Sequence, residues 1–131
     1  MKLLYLPLLI ILFMVPAISF ADPIDDVASL IRKGNISELS KLFAPSVEIA
    51  ILNNENTYSK AQAQVTLDKF FSEHKPATVT ILHKIKSNAN YLFGVLIVNS
   101  GKETFRVAFT LKGTQGNLML IEFRVETEKL K

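Results

Sequence analysis

Apolar residues recur every three or four positions through the first half of residues 22–131 and every second position through the second half. Ile24, Val27, Leu30 and Ile31 stand at i, i+3, i+6 and i+7, one face of a helix running from Asp22. Pro23 suits its first turn, and Asp25 and Asp26 suit its positive end. Gly34-Asn35 stops it, and a short second helix follows Ser37 with Leu39, Leu42 and Phe43 on its apolar side, ending at Pro45. Val47–Leu52 predicts a strand and Asn53–Asn56 a polar turn. Ser59 with Gln62 forms a capping box for a third helix. Its buried stripe is Ala63, Leu67, Phe70 and Phe71, and His74-Lys75-Pro76 closes it.

From Ala77 onward the period is two. Val79, Ile81, His83 and Ile85 fall on one face, as do Phe105, Val107, Phe109 and Leu111, and Met119, Ile121, Phe123 and Val125. Tyr91–Val98 is apolar on both faces. Asn99-Ser100-Gly101 and Gly113-Thr114-Gln115-Gly116 read as hairpin turns, and Thr127–Lys131 as a charged tail. The order is helix, helix, strand, helix and four strands joined by short turns. Such strands pair antiparallel, and the helices cover one face of the sheet, an α+β layer fold.

Ahead of this domain lies a different pattern. Lys2 precedes an apolar run from Leu3 to Val15, then Pro16-Ala17-Ile18-Ser19-Phe20-Ala21, with no acid before Asp22. A positive start, an apolar middle and a small-residue site make a secretory signal peptide over residues 1–21, cleaved after Ala21. Cutting after Ser19 is the neighbouring alternative. The run from Leu3 to Phe20 is short for a span and is broken by Pro7 and Pro16, so no membrane span is expected after cleavage. Residues 22–131 form one domain by length. They keep 14 of the 15 Lys+Arg, because only Lys2 is in the leader, and all 12 Asp+Glu. A nearly balanced charge gives no case for nucleic acid. With no Cys there are no disulfides and no lipid anchor on a cysteine, and bacterial export fits better than eukaryotic secretion.

The order of elements resembles the nuclear-transport-factor-2-like, or cystatin-like, cone fold, with N-terminal helices packed on a curved antiparallel sheet. Lys33-Gly34-Asn35, Val47-Glu48-Ile49, Tyr58–Ala63, Phe70-Phe71, Phe105-Arg106-Val107 and Glu122–Glu126 resemble small secreted Bacteroidetes proteins, the family called domain of unknown function 4783. The resemblance implies the fold, export and a Bacteroidetes origin, and carries over no catalytic residue. In such a fold the third helix meets Phe105, Phe109 and Phe123 on the concave face.

Candidate chemistry is sparse. His74 and His83 are the only histidines and lack a metal-ligand spacing, so no metal or cofactor is expected. His74 reads as a cation at a helix C-terminus. His83, on the face of Val79 and Ile81, reads as a core or rim residue. Its functional alternative is a general acid or base with Tyr91 or Asp68 in the cone pocket. That alternative is a small isomerase or hydratase. Ketosteroid isomerases and scytalone dehydratase resemble this architecture, but they need acids, His or Tyr in the cavity, where this chain places aliphatic and aromatic residues. Arg106, Glu122 and Arg124, with Leu118, Leu120, Leu96 and Val98, are expected on the opposite sheet face. They would form a charge ladder on a solvated face, or a surface for a second copy or an envelope protein. The leading expectation is a non-catalytic exported module that binds a protein or a small apolar ligand. Asn35-Ile36-Ser37 matches a glycosylation acceptor that a bacterial host leaves unused.

Overall fold

The computed structural model describes residues 22–114 and 117–128, so the leader and its Ala21 cleavage site lie outside the described residues. Helix α1 spans Pro23–Arg32, α2 Ile36–Ser40, β1 Phe43–Ile51, β2 Asn54–Ser59 and α3 Lys60–Glu73. Four long strands follow: β3 Thr78–Asn88, β4 Tyr91–Asn99, β5 Thr104–Thr114 and β6 Asn117–Thr127.

Local chemistry sets each helix end. The Asp22 side chain accepts the Ile24 N–H at 2.8 Å and caps α1. At the other end Gly34 takes φ 69°, which lets its N–H reach Ile31 O and the Asn35 N–H reach Leu30 O, a Schellman closure. Asn35 then caps α2 by accepting the Glu38 N–H at 3.2 Å. Ser59 and Gln62 form the expected reciprocal box at 3.3 and 3.2 Å.

The strands form one six-stranded sheet in the order β2-β1-β6-β5-β4-β3. Its turns make β3–β4, β4–β5 and β5–β6 antiparallel, and β1–β2 is antiparallel too. The sheet is nevertheless mixed, because β1 runs parallel to β6. Short-turn reasoning covers only neighbours in sequence, and this pair joins the first strand to the last. The polar run at 53–56 is also more than a turn: Asn54–Ser59 is the edge strand β2.

All three helices lie on one face. α1 packs on β3 and β4, α3 on β1 and β2, and α2 bridges α1 and α3. The inner layer is aromatic. Phe70 meets Phe105 edge-on at 5.2 Å, and Phe71 meets Phe123 at 6.3 Å. Phe109 lies elsewhere, under α1. A Cβ at Gly94 would sit 2.6 Å from Phe109 Cζ and 3.1 Å from Ile24 Cγ2, so only glycine lets that ring and α1 approach β4.

Among the register shifts of the sheet, two decide where the expected site residues point. Ile81 pairs with Leu96 and His83 with Val95, so Leu82 is an extra residue in β3. Thr110 pairs with Glu122 and Leu111 with Leu120, so Ile121 is extra in β6. Each insertion flips the alternation beyond it. His83 therefore faces away from Val79 and Ile81. Leu118 and Leu120 turn inward, while Met119, expected inside, is 39% exposed. Leu96 and Val98 are buried in the helix-side core, on the same face as Val107 and Phe105.

The flip in β3 also points Lys84 at the helix layer. Its Nζ lies 2.8 Å from Asp25 Oδ1 and 3.2 Å from Asp22 Oδ2, tying the start of α1 to β3. Partial burial pulls the Asp22 carboxyl upward, but the Ile24 N–H and the Lys84 ammonium outweigh it and hold it below its ordinary value. The Lys84 ammonium is raised by its bonds to Asp25 and then Asp22. A lowered carboxylate stabilises the fold above the ordinary carboxylate range, and that contribution disappears as pH falls. Asp22→Asn keeps a capping acceptor and removes the charge. We expect urea midpoints of the native protein to fall more steeply than those of Asp22→Asn between neutral pH and about pH 3. The difference at neutral pH should be small, because the pair is solvent-screened.

Candidate functional site

Two regions offer chemistry: the sheet face away from the helices, and a hollow where α3 meets the β1–β2 hairpin.

On the outer face, strand register sets up rows across the sheet. Ile97, Arg106 and Glu126 make one row, Val95, Ala108, Arg124, Ala50 and Glu55 the next, and Phe93, Thr110, Glu122 and Glu48 a third. Arg106, Glu122 and Arg124 share this face as the alternation predicts. The two arginines, however, are already engaged. Arg106 donates through Nε and Nη2 to both Glu128 carboxylate oxygens, at 2.9 and 3.2 Å. This fork lowers the Glu128 carboxyl and raises the Arg106 guanidinium. Arg124 donates to Glu55 at 3.1 Å and lies 3.8 Å from Glu122. Leu118 and Leu120 do not belong to this surface. Leu120 is 0% exposed and packs in the core, and Leu118 packs half-buried against it.

The apolar end of the outer face lies further along the strands. Ile85 sits beside Phe93, and Tyr91, Lys112 and Met119 form a row. Ile85 is 52% exposed, and Tyr91 and Met119 are exposed as well. His83 and Tyr91 are on this open face, not together in a pocket. His83 pairs with Val95, four residues of β4 from Tyr91, about 13 Å at strand rise. Neither lines the hollow where α3 meets the β1–β2 hairpin. Asp68 is exposed and borders a separate notch of about 360 Å³ beside Arg32, Lys33 and Lys75.

The hollow on the helix side holds about 320 Å³. α3 contributes Thr66, Lys69, Phe70 and Glu73, spaced i, i+3, i+4 and i+7 along one face beside the core stripe. The hairpin contributes Ile49, Ile51, Leu52, Asn54 and Tyr58. His74, the C-cap of α3, closes one side. Its ring lies on Phe70 at 4.7 Å, meets Phe105 edge-on at 5.1 Å, and brings Nδ1 to 3.6 Å from Glu103 Oε1. Sequence reasoning gives His74 only its helix-end role. The signal for the hollow is the second stripe on α3, which stands out only once the hairpin opposite it is known. Among the described residues, no three of His, Asp and Glu converge as a metal site, and no helix is long and apolar enough to cross a membrane.

The sequence profile described as "Domain of unknown function (DUF4783)" matches residues 24–126. No curated protein matches the chain. Among solved structures, a DUF4783 family protein from Bacteroides uniformis superposes with a TM-score of 0.77 at 24% identity, covering 83% of this chain and 100% of that one. A second, from Bacteroides ovatus, gives 0.73 at 21% identity, covering 79% and 94%. An NTF-2 like protein of unknown function from Burkholderia xenovorans gives 0.60 at 9% identity, covering 82% and 84%. At these identities the likeness is one of fold, and the fold is nuclear-transport-factor-2-like.

The inward turn of β6 has a direct check. Leu120→Ala should cost about 2–5 kcal/mol in urea denaturation, as a core truncation does. Arg106→Ala on the outer face should barely move the midpoint.

Proposed function

We propose, on the premise that the chain belongs to the DUF4783 family, that it is an exported, non-catalytic interaction module of the cell envelope. Its contact surface is the apolar end of the outer sheet face, and its occupant there is a second copy of the chain. The observation that carries this reading is the division of that face. At its charged end the arginines are paired within the chain, Arg106 on Glu128 and Arg124 on Glu55. Its other end leaves Ile85, Tyr91 and Met119 open around Lys112. Apolar surface in water favours association, and a two-fold contact sets the same patch against itself. The contact surface therefore differs from the expected one: Ile85, Phe93, Tyr91 and Met119 take the place of Leu118 and Leu120.

Export is supported by the pattern of residues 1–21. An isomerase or hydratase built on His83 and Tyr91 is not favoured, because the two rings stand apart on an open surface.

Light scattering of the purified protein should give the mass of a dimer, and Ile85→Glu should give a folded monomer whose thermal midpoint no longer rises with protein concentration. A native protein that stays monomeric at all concentrations would remove the second copy as occupant. A pull-down from native envelope would then find the protein partner, if this face has one. For export, N-terminal sequencing of chain recovered from the envelope or medium should begin at Asp22. Recovery of uncut chain from the cytoplasm would overturn it.

A further inference from the structure

We infer that the hollow between α3 and the β1–β2 hairpin is a binding site for a planar, two-ring aromatic molecule carrying one carboxylate. This goes beyond the interaction surface above, because the hollow lies on the helix side of the sheet.

Size comes first. A dry cavity of roughly 150 Å³ lined by aliphatic and aromatic side chains accepts benzene. The hollow, at about 320 Å³, has room for two fused rings and stands at the lower end of small-molecule pockets. Its walls suit a flat guest. Ile49 and Ile51 form an aliphatic floor, and Phe70, His74 and Tyr58 supply ring faces and edges.

Charge selects the substituent. Lys69 borders the hollow and makes no ion pair within 4 Å among the described residues, so its ammonium is free for a guest anion. Glu73, one turn further along α3 and likewise without an ion pair within 4 Å among the described residues, opposes a second negative charge on the same guest, and an amine probe tests whether it sets the preference instead. One carboxylate, near Lys69, satisfies both.

Leu52 supplies a second observation: the two-residue turn between Ile51 and Asn54 requires a positive φ, which a glycine or asparagine meets without strain, and here it is met by a leucine. It is the sole non-glycine residue with positive φ among the described residues, at 56°. For a leucine this conformation costs about 1–2 kcal/mol. Its N–H is fixed to Val125 O at 2.9 Å, which holds the residue in place. Burial does not repay that strain in the free protein, since Leu52 is 48% exposed at the lip of the hollow. A strained residue that presents an uncovered apolar side chain to a cavity is set up to close on something. A ring system seated on Ile49 and Ile51 would meet that side chain.

The test uses three probes of one shape and different charge: naphthylacetate, naphthylethanol and naphthylethylamine. Calorimetric titration of the purified protein should rank them in that order, with the amine at least about tenfold weaker than the acid, as loss of a charged contact implies. Lys69→Met should erase the preference for acid over alcohol. Leu52→Gly relieves the strain and removes the lip. It should bind naphthylacetate at least about fivefold more weakly while its thermal midpoint holds or rises. A midpoint that rises with unchanged affinity would make Leu52 a feature of the turn alone and overturn its role. The site itself would be overturned if the amine binds tightest. It would also be overturned if no heat and no amide shift at Leu52, Thr66 or His74 appear up to about 1 mM acid.

Discussion

Two edge-to-face aromatic contacts hold α3 to the sheet: Phe70 on Phe105 and Phe71 on Phe123. Adjacent positions on one helix reach β5 and β6 at once, so the helix can neither slide nor roll without breaking one of them. The rest of the helical layer follows from that placement. α2 is wedged between α1 and α3, and α1 settles on β3 and β4 where Gly94 leaves room for Phe109. The next stripe of α3, from Thr66 to Glu73, is thereby turned toward the β1–β2 hairpin, and the hollow exists because of that turn.

The elements were largely legible in the chain. Capping residues stand where the helices begin, Gly34 stands where α1 ends, and period-two runs mark four strands. The faces of those strands were less legible. Neither Leu82 nor Ile121 carries a glycine, proline or polar signal of a bulge, yet each shifts the alternation by one residue. That single residue separates a buried Leu120 from a surface one and moves His83 from the helix side to the open face. β2 was hidden for another reason. As an edge strand, exposed along most of its length, it has no buried side to impose an apolar period. The hollow depends on β2 and not on the bulges, because it joins a helical stripe to a hairpin that polar composition disguises.

The same physics separates the two surfaces of the molecule. On the outer face the arginines are neutralised by glutamates of the same chain, and the apolar end is left open. On the helix side the core is closed by large rings, and the opening lies at the end of α3, where His74 replaces a further helical turn. The acids that do converge are held by cations of the same chain, Asp22 and Asp25 by Lys84 and Glu55 and Glu122 by Arg124.

The parallel pairing of β1 with β6 has a consequence for how the molecule comes into being. β6 lies between β1 and β5, so it is the only seam joining the β1–β2 hairpin to the β3–β5 meander within the sheet. Helices α1 to α3 can begin to form as soon as they are synthesised, but β1 has no neighbour other than β2 until nearly the whole chain is present. Closing a loop of that length carries an entropic cost, and it can be met only once β6, Asn117–Thr127, is present. Before then the hairpin and the meander are separate pieces of sheet. Afterwards its first and last strands lie side by side and lock it shut.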